Sequence, residues 1–189
     1  MSSGDYFSAF IIGFAIFYII ILLISLAMAI LQIIAKWKLY EKAGEPGWSS
    51  IVPVYNYMQM IKIATGSFKL AWIYIALCAV YFIGYFGVAF MEAFADSESF
   101  GAAYALLMIA MFVFMIPMYI IAGYTNYMFA KSYGKSQTFC ILTIFFSGIT
   151  LLIMGFDKST EYVGPKGISP YNNYYNNYNN SNYGNYNNY

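Results

Sequence analysis

Histidine and arginine are absent from this 189-residue sequence, and only 9% of its residues carry charge. Without histidine, the chain lacks the commonest general base and metal ligand. Without arginine, and at a net charge of +1, it lacks the clustered basic face that nucleic-acid binding needs. Its two cysteines, Cys78 and Cys140, both lie in apolar segments, so neither a disulfide framework nor a zinc site is indicated. We therefore expect no metal and no nucleic-acid partner.

The shortage of charge places the chain in a membrane. Hydrophobic residues make up 61% of the sequence, whereas soluble domains have about 45–50% apolar and about 25% charged residues. Four segments are free of charge except at their ends, and each is near or above the roughly 20 residues that a bilayer-spanning helix needs. We predict an all-α membrane protein with four transmembrane helices, at about residues 10–35, 68–91, 102–130 and 138–156.

The lysines predict how these helices are oriented. Seven lysines fall in the segments 36–69 and 131–137, and two, Lys158 and Lys166, follow the fourth helix. Because positively charged loops stay in the cytoplasm, we predict a multi-pass cell-membrane protein. Both termini, residues 1–9 and 157–189, would then be extracytoplasmic.

The C-terminal tail has a composition unlike the rest of the chain. Residues 171–189 contain only tyrosine, asparagine, serine and glycine. Such a segment has no aliphatic residues with which to build a core, so we expect it to be disordered on its own. Its alternating aromatic and amide residues also favour self-association.

The loop 36–66 is the one long polar segment between predicted spans. Trp37 and Lys38 are suited to fixing a helix end at the lipid headgroups. Glycine and proline at 44–47 predict a turn. The spacing from Val54 onward predicts an amphipathic helix lying in the membrane interface, with Val54, Tyr57, Met58 and Ile61 on its apolar face and Asn56, Gln59 and Lys62 off that face. We assign the following residues to a surface that docks a partner or anionic lipid: Trp37, Lys38, Lys42, Trp48, Tyr55, Asn56 and Lys62.

This loop also resembles a known family. Residues 37–56 read WKLYEKAGEPGWSSIVPVYN, which is similar to the signature of an uncharacterised prokaryotic family of small integral membrane proteins. Some members of that family are associated with type I signal peptidases. The resemblance implies a fold and a membrane partner related to secretion, but no reaction. The residues that carry it are Trp37, Lys42, Ala43, Gly44, Gly47, Trp48, Pro53, Tyr55 and Asn56.

Partly polar side chains recur at helical spacing in the second and fourth predicted spans. They are interpreted either as ordinary helix packing, with hydroxyls bonded to their own backbone, or as the lining of a polar pathway between the two helices. The residues concerned, together with one asparagine of the third span, are Tyr74, Cys78, Tyr81, Tyr85, Asn126, Thr143, Ser147 and Thr150.

Two functions remain open on this evidence. The first is a non-enzymatic membrane scaffold or accessory subunit that docks its partner through the loop 36–66. The second is a small oligomeric channel or facilitator lined by the two stripes. We expect no catalytic residue and no cofactor, because the central parts of the spans hold no Asp, Glu, Lys, Arg or His and nucleotide-binding and metalloprotease motifs are missing.

Overall fold

The computed structural model describes residues 3–94 and 101–169, and these residues form helices joined by short connections without any strand. The predictions for residues 171–189 lie outside the described residues. The α-helices are α1 (Ser3–Lys42), α2 (Pro53–Thr65), α3 (Lys69–Phe94), α4 (Gly101–Ser132), α5 (Gln137–Phe145) and α6 (Ser147–Phe156). Two short 3₁₀ helices occupy Gly47–Ser50 and Pro165–Gly167.

Among the residues that the structure describes, three helices are long and apolar enough to cross a membrane. Their candidate spans are Tyr6–Lys42, Lys69–Phe90 and Tyr104–Ser132, which correspond to the first three predicted spans. In the most apolar 18-residue window of each span, at most 6% of the residues are buried within the chain itself. The prediction of an all-helical membrane protein is therefore supported, with three candidate spans.

The predicted fourth span, residues 138–156, is wrong as a single helix. The helix breaks at Phe146, whose backbone angles (φ −121°, ψ 41°) are not helical, and α6 folds back against α5. The Nζ atom of Lys135, just before α5, lies 3.1 Å from Oδ2 of Asp157, just after α6. A continuous helix would hold these two positions about 33 Å apart. The segment is therefore a helical hairpin whose two ends meet.

The segment that follows the hairpin lies against α4 and α2. The amide of Val163 donates to the carbonyl of Ser132 at the end of α4 (2.8 Å), and the Tyr162 hydroxyl donates to the carbonyl of Ile63 in α2 (3.1 Å). Residues 157–169 thus lie beside the loop 36–66. The prediction from the sequence had instead placed these two segments on opposite sides of the membrane.

Helix α1 continues beyond the boundary predicted for it. Residues 36–42, which were assigned to the loop, form its last two turns. The chain between Lys36 and Lys42 contains neither glycine nor proline, so nothing breaks the helix before Gly44. Gly44 adopts φ +74°, a conformation that glycine reaches without a side-chain penalty.

Nearly all of the buried core lies at one end of the molecule, which we call the packed end and define as residues 32–66 and 121–169. Its cluster joins the end of α1, α2, the end of α4 and the hairpin, with the Tyr40 ring edge-on to Phe129 at a centroid distance of 6.3 Å. By contrast, the large side chains of α1 between Tyr6 and Leu31 are exposed. The fold is therefore a compact end with long apolar helices extending from it.

The contact between α1 and α6 depends on a glycine. A Cβ atom at Gly155 would lie 2.6 Å from both Cα and Cβ of Ala35, which is closer than real atoms approach. Because backbone atoms cannot move aside as a flexible side chain can, we expect Gly155→Ala to destabilise the protein by about 1–3 kcal/mol. Thermal unfolding of the purified protein in one detergent would measure this.

Gly87 in α3 provides the matched control for that substitution. A Cβ atom there would have no neighbour within 4 Å, so Gly87→Ala should be neutral or stabilising by up to about 1 kcal/mol. Equal losses for the two variants would contradict the close packing of α6 on α1.

Candidate docking surface

The 3₁₀ helix Gly47–Ser50 sets the shape of the predicted docking loop. The Trp37 indole covers Gly47 so closely that no side chain could replace its hydrogen. On the outer side, the Trp48 ring stacks on Tyr55, with centroids 5.5 Å apart and planes 14° from parallel. The structure therefore brings together Trp37, Trp48 and Tyr55 of the predicted docking set, with Trp48 outermost.

Apolar side chains next to Trp48 also face outward. Trp48 is 53% exposed and Val54 is 62% exposed, and Ile51 and Val52 between them are exposed as well. We call Trp48, Ile51, Val52 and Val54 the apolar edge. Ile51 and Val52 were not among the residues predicted to form this surface, and Val54 was predicted to lie on the apolar face of a helix. The run of apolar residues around Pro53 could have indicated this exposed surface, because a short segment cannot bury all of its consecutive side chains.

Helix α2 exists near the predicted position, but its buried face differs from the predicted one. The helix begins at Pro53 and ends before Gly66, which adopts the left-handed conformation (φ +79°). Its buried residues include Gln59, which was predicted to lie off the apolar face and is fully buried. The Gln59 amide donates to the carboxylate of Glu45. The position of α2 at a membrane interface stays a prediction.

Two lysines of the predicted docking set form bonds within the chain. Lys62 pairs with Glu45 at 2.6 Å, and Lys42 donates to the backbone carbonyl of Asp157 at 2.8 Å. Each cation therefore holds the packed end together, which leaves less of its charge available to an external partner.

The other members of the docking set are divided between internal and external roles. The Tyr40 hydroxyl donates to the side-chain and backbone oxygens of Asn56, so Asn56 anchors α2 to α1. Trp37 donates to Glu41 at 2.7 Å. The Lys38 Nζ atom lies 4.3 Å from the centroid of the Phe156 ring, a cation–π distance, and the Lys38 side chain is otherwise exposed.

All nine lysines belong to segments that meet at or next to the packed end. These segments, residues 36–69 and 131–169, contain nine lysines and four acids, which leaves a formal charge of 9 − 4 = +5. Several of the lysine side chains are exposed, namely Lys38, Lys69, Lys131, Lys158 and Lys166. This end of the molecule is therefore strongly cationic, although the whole chain is nearly neutral.

Asp157 connects the hairpin to the rest of this end. One carboxylate oxygen accepts from Lys135 (3.1 Å) and from the Thr160 hydroxyl (2.7 Å), and the other accepts from the amide and hydroxyl of Ser159. The Ser159 and Thr160 hydrogen bonds, with that from Lys135, hold the pKa of Asp157 well below its usual range. The residue therefore stays ionised and cross-links three segments.

The two polar stripes do not face each other. Helix α3 packs on α4 and α2, whereas α5 packs on α4 and α6 packs on α1. In the fourth predicted span, the Thr143 and Thr150 hydroxyls donate to the carbonyls of Phe139 (2.8 Å) and Phe146 (3.0 Å) in their own hairpin. These contacts agree with the helix-packing interpretation, and Ser147 is half-buried in the same hairpin.

The α3 stripe lies instead along two side-open cavities against α4. Tyr81 and Met115 border both cavities, which measure about 200 and 210 Å³, Tyr85 borders the first and Tyr74 the second. Cys78 and, on α4, Asn126 are half-buried. Within residues 3–94 and 101–169, no three potential metal ligands cluster. These cavities are apolar and offer no chemistry beyond tyrosine hydroxyls.

Comparison with known proteins gives one similarity. A family model described as a family of unknown function (DUF5684) matches residues 108–165, a stretch that covers most of α4, the whole hairpin and part of the segment after it. The match includes none of residues 37–56, so the motif resemblance and the association with signal peptidases stay predictions. No curated protein and no solved structure matches the chain.

The hydrogen bonds of Asp157 make a pH-dependent prediction. A carboxylate whose pKa is lowered on folding stabilises the folded state above its ordinary pKa of 3.8, and that stabilisation is lost as pH falls through the lowered value. We expect Asp157→Asn to lower the melting temperature at pH 7, and the deficit relative to wild type to narrow below pH 4. Thermal melts in detergent across pH would measure this.

The exposed carboxylate of Glu161 supplies the control, because it lies in the same segment. We expect Glu161→Gln to melt like wild type at every pH. A deficit for Asp157→Asn that stayed constant as pH fell would show that the ionised carboxylate is not what holds the hairpin.

Proposed function

We propose that this protein is a non-enzymatic integral membrane scaffold whose packed end binds the anionic headgroups of its own membrane through the loop 36–66. The observation that carries the proposal is the apolar edge, Trp48 to Val54, which projects from a rigid and strongly cationic end of the molecule. An interfacial tryptophan flanked by aliphatic side chains and lysines is the composition that membrane surfaces bind.

The rigidity of the loop supports this role. The stack of Trp48 on Tyr55, the Tyr40–Asn56 hydrogen bonds and the Glu45–Lys62 pair all fix the loop on the helices beneath it. The apolar edge is therefore ordered before any membrane contact, so little conformational entropy remains to be lost on binding. An exposed apolar segment that is held in place in this way is more typical of a binding surface than of a flexible linker.

Charge sets the proposed orientation. Because the nine lysines lie at or next to one end, the rule that positive loops stay in the cytoplasm places that end in the cytoplasm. The N-terminus would then be extracytoplasmic, and residues 157–169 cytoplasmic. Each lysine near an anionic leaflet contributes about 1 kcal/mol of attraction, so the exposed lysines together supply a substantial affinity for anionic lipid.

Trp48 fluorescence tests the proposal directly. The protein would be reconstituted in bilayers of phosphatidylcholine and phosphatidylglycerol with bromine on the chains of one lipid or the other. The signal of Trp48 is the difference between wild type and Trp48→Phe. An attraction of about 1 kcal/mol from one lysine near Trp48 enriches anionic lipid there about fivefold. Brominated phosphatidylglycerol should therefore quench Trp48 several-fold more per bromine than brominated phosphatidylcholine does. The excess should fall in 1 M salt.

Two sets of variants separate charge from insertion. Replacing Lys131, Lys158 and Lys166 together by glutamine should reduce the preference for the anionic lipid while leaving total quenching near wild type. Replacing Ile51 and Val54 together by serine should weaken quenching by both lipids. Equal quenching by the two brominated lipids in wild type would overturn the proposed binding of anionic headgroups.

A further inference from the structure

The hairpin of α5 and α6 is too short to cross a membrane. Its helices contain 9 and 10 residues, so each arm reaches about 13–15 Å, whereas the hydrocarbon core of a bilayer is about 30 Å thick. Its ends are held together by the contact of Lys135 with Asp157. If the hairpin inserts into a membrane, both of its ends therefore lie on the same side of that membrane.

The outer surface of the hairpin is nonetheless apolar. No charged residue occurs between Gln137 and Phe156, and Phe145, at the tip, is 76% exposed. The large exposed side chains of the two arms are Ile141, Leu142, Ile144, Phe145, Phe146, Ile149, Ile153 and Phe156. Soluble proteins rarely present so large a continuous apolar surface to water.

Two polar side chains within the arms of the hairpin, Thr143 and Thr150, face inward and are already bonded. Thr143 and Thr150 are buried with their hydroxyls on carbonyl groups of the hairpin. At the turn, the amide of Phe146 donates to Leu142 (2.8 Å), and the amide of Thr150 donates to Phe146 (3.0 Å). Much of the backbone of the turn is thus satisfied internally, as immersion in hydrocarbon requires.

The arms also lie beside parts of the chain that belong in a membrane. Ile144, near the tip, is in contact distance of Gly123 on α4, and Gly148 lies beside Gln32 on α1. Gly123 and Gln32 are 9 and 10 residues inside the ends of two candidate spans. The tip therefore stands about 13 Å inward from the ends of these spans.

We propose that α5 and α6 form a re-entrant hairpin whose outer face binds the acyl chains of a single leaflet, the one at the packed end. A full crossing is incompatible with the contact between Lys135 and Asp157, and a position in water is incompatible with the apolar outer face. A second copy of the chain is the other surface that could cover the hairpin, and the accessibility of a label at Phe145 distinguishes such a copy from lipid. The proposal does not depend on the binding of anionic headgroups by the loop 36–66.

Spin labels at three positions test the insertion. In the full-length protein with Cys78→Ala and Cys140→Ala, single cysteines would be placed at Thr138 near the start of α5, at Phe145, and at Lys158 after α6; all three are exposed. We expect Phe145 to lie about 10 Å deeper than Thr138, as measured by oxygen accessibility against that of a water-soluble nickel complex. Thr138 and Lys158 should both be shallow.

Sidedness supplies a second readout. A membrane-impermeant maleimide should label cysteines at Thr138, at Lys158 and at Lys69, the first residue of α3, from the same side of sealed vesicles. Labelling of Thr138 and Lys158 from opposite sides would overturn the proposal, as would a Phe145 label reached mainly by the nickel complex. A Phe145 label shielded from both reagents would indicate that a second copy, and not lipid, covers the hairpin.

Removing the buried Cys140 could unfold the protein, so one measurement keeps both cysteines. In the native background, the fluorescence that Phe145→Trp adds to that of wild type should be quenched most strongly by lipids with nitroxides below the headgroup. Lys158→Trp, the matched control after the hairpin, should be quenched most strongly by lipids labelled at the headgroup. Equal depth profiles for the two tryptophans would also overturn the proposal.

Discussion

The junction at Asp157 determines the architecture of this protein. Its carboxylate accepts from Lys135 and its backbone carbonyl accepts from Lys42, so the two ends of the hairpin and the end of α1 meet at one residue. Because of this junction, residues 138–156 turn back and form a hairpin. The segment that follows then reaches α4 and α2 through Val163 and Tyr162.

The same junction explains the distribution of charge. With four crossings, the lysines would divide between the two sides of the membrane; with the hairpin, all nine fall at or next to one end. Cations so close together repel, and the structure offsets part of this repulsion by pairing Lys62 with Glu45 and Lys135 with Asp157. The lysines that remain exposed lie on the same end as the apolar edge, and this coincidence makes a headgroup-binding surface a physical expectation.

Hydropathy and charge predicted the three long helices because both depend on local composition. Residues 68–91 and 102–130 were placed within a few residues of α3 and α4. The hairpin was missed because hydropathy measures how apolar a segment is and says nothing of its path. The 19 residues from Thr138 to Phe156 are as apolar as a span, and the break at Phe146 carries no proline. What reverses the chain there is tertiary: Gly155 against Ala35 and Asp157 against Lys135.

The docking surface shows the same limit. Its outermost aromatic residues, Trp48 and Tyr55, were identifiable from residue type alone, since such residues prefer interfaces. The roles of Lys42 and Lys62 were not, because an ion pair with Glu45 or a bond to residue 157 depends on how distant segments pack. The part of the chain that matches a family of unknown function, residues 108–165, includes the hairpin and Asp157, which closes it. Measuring how deep the hairpin lies is therefore informative about the segment that matches this family model.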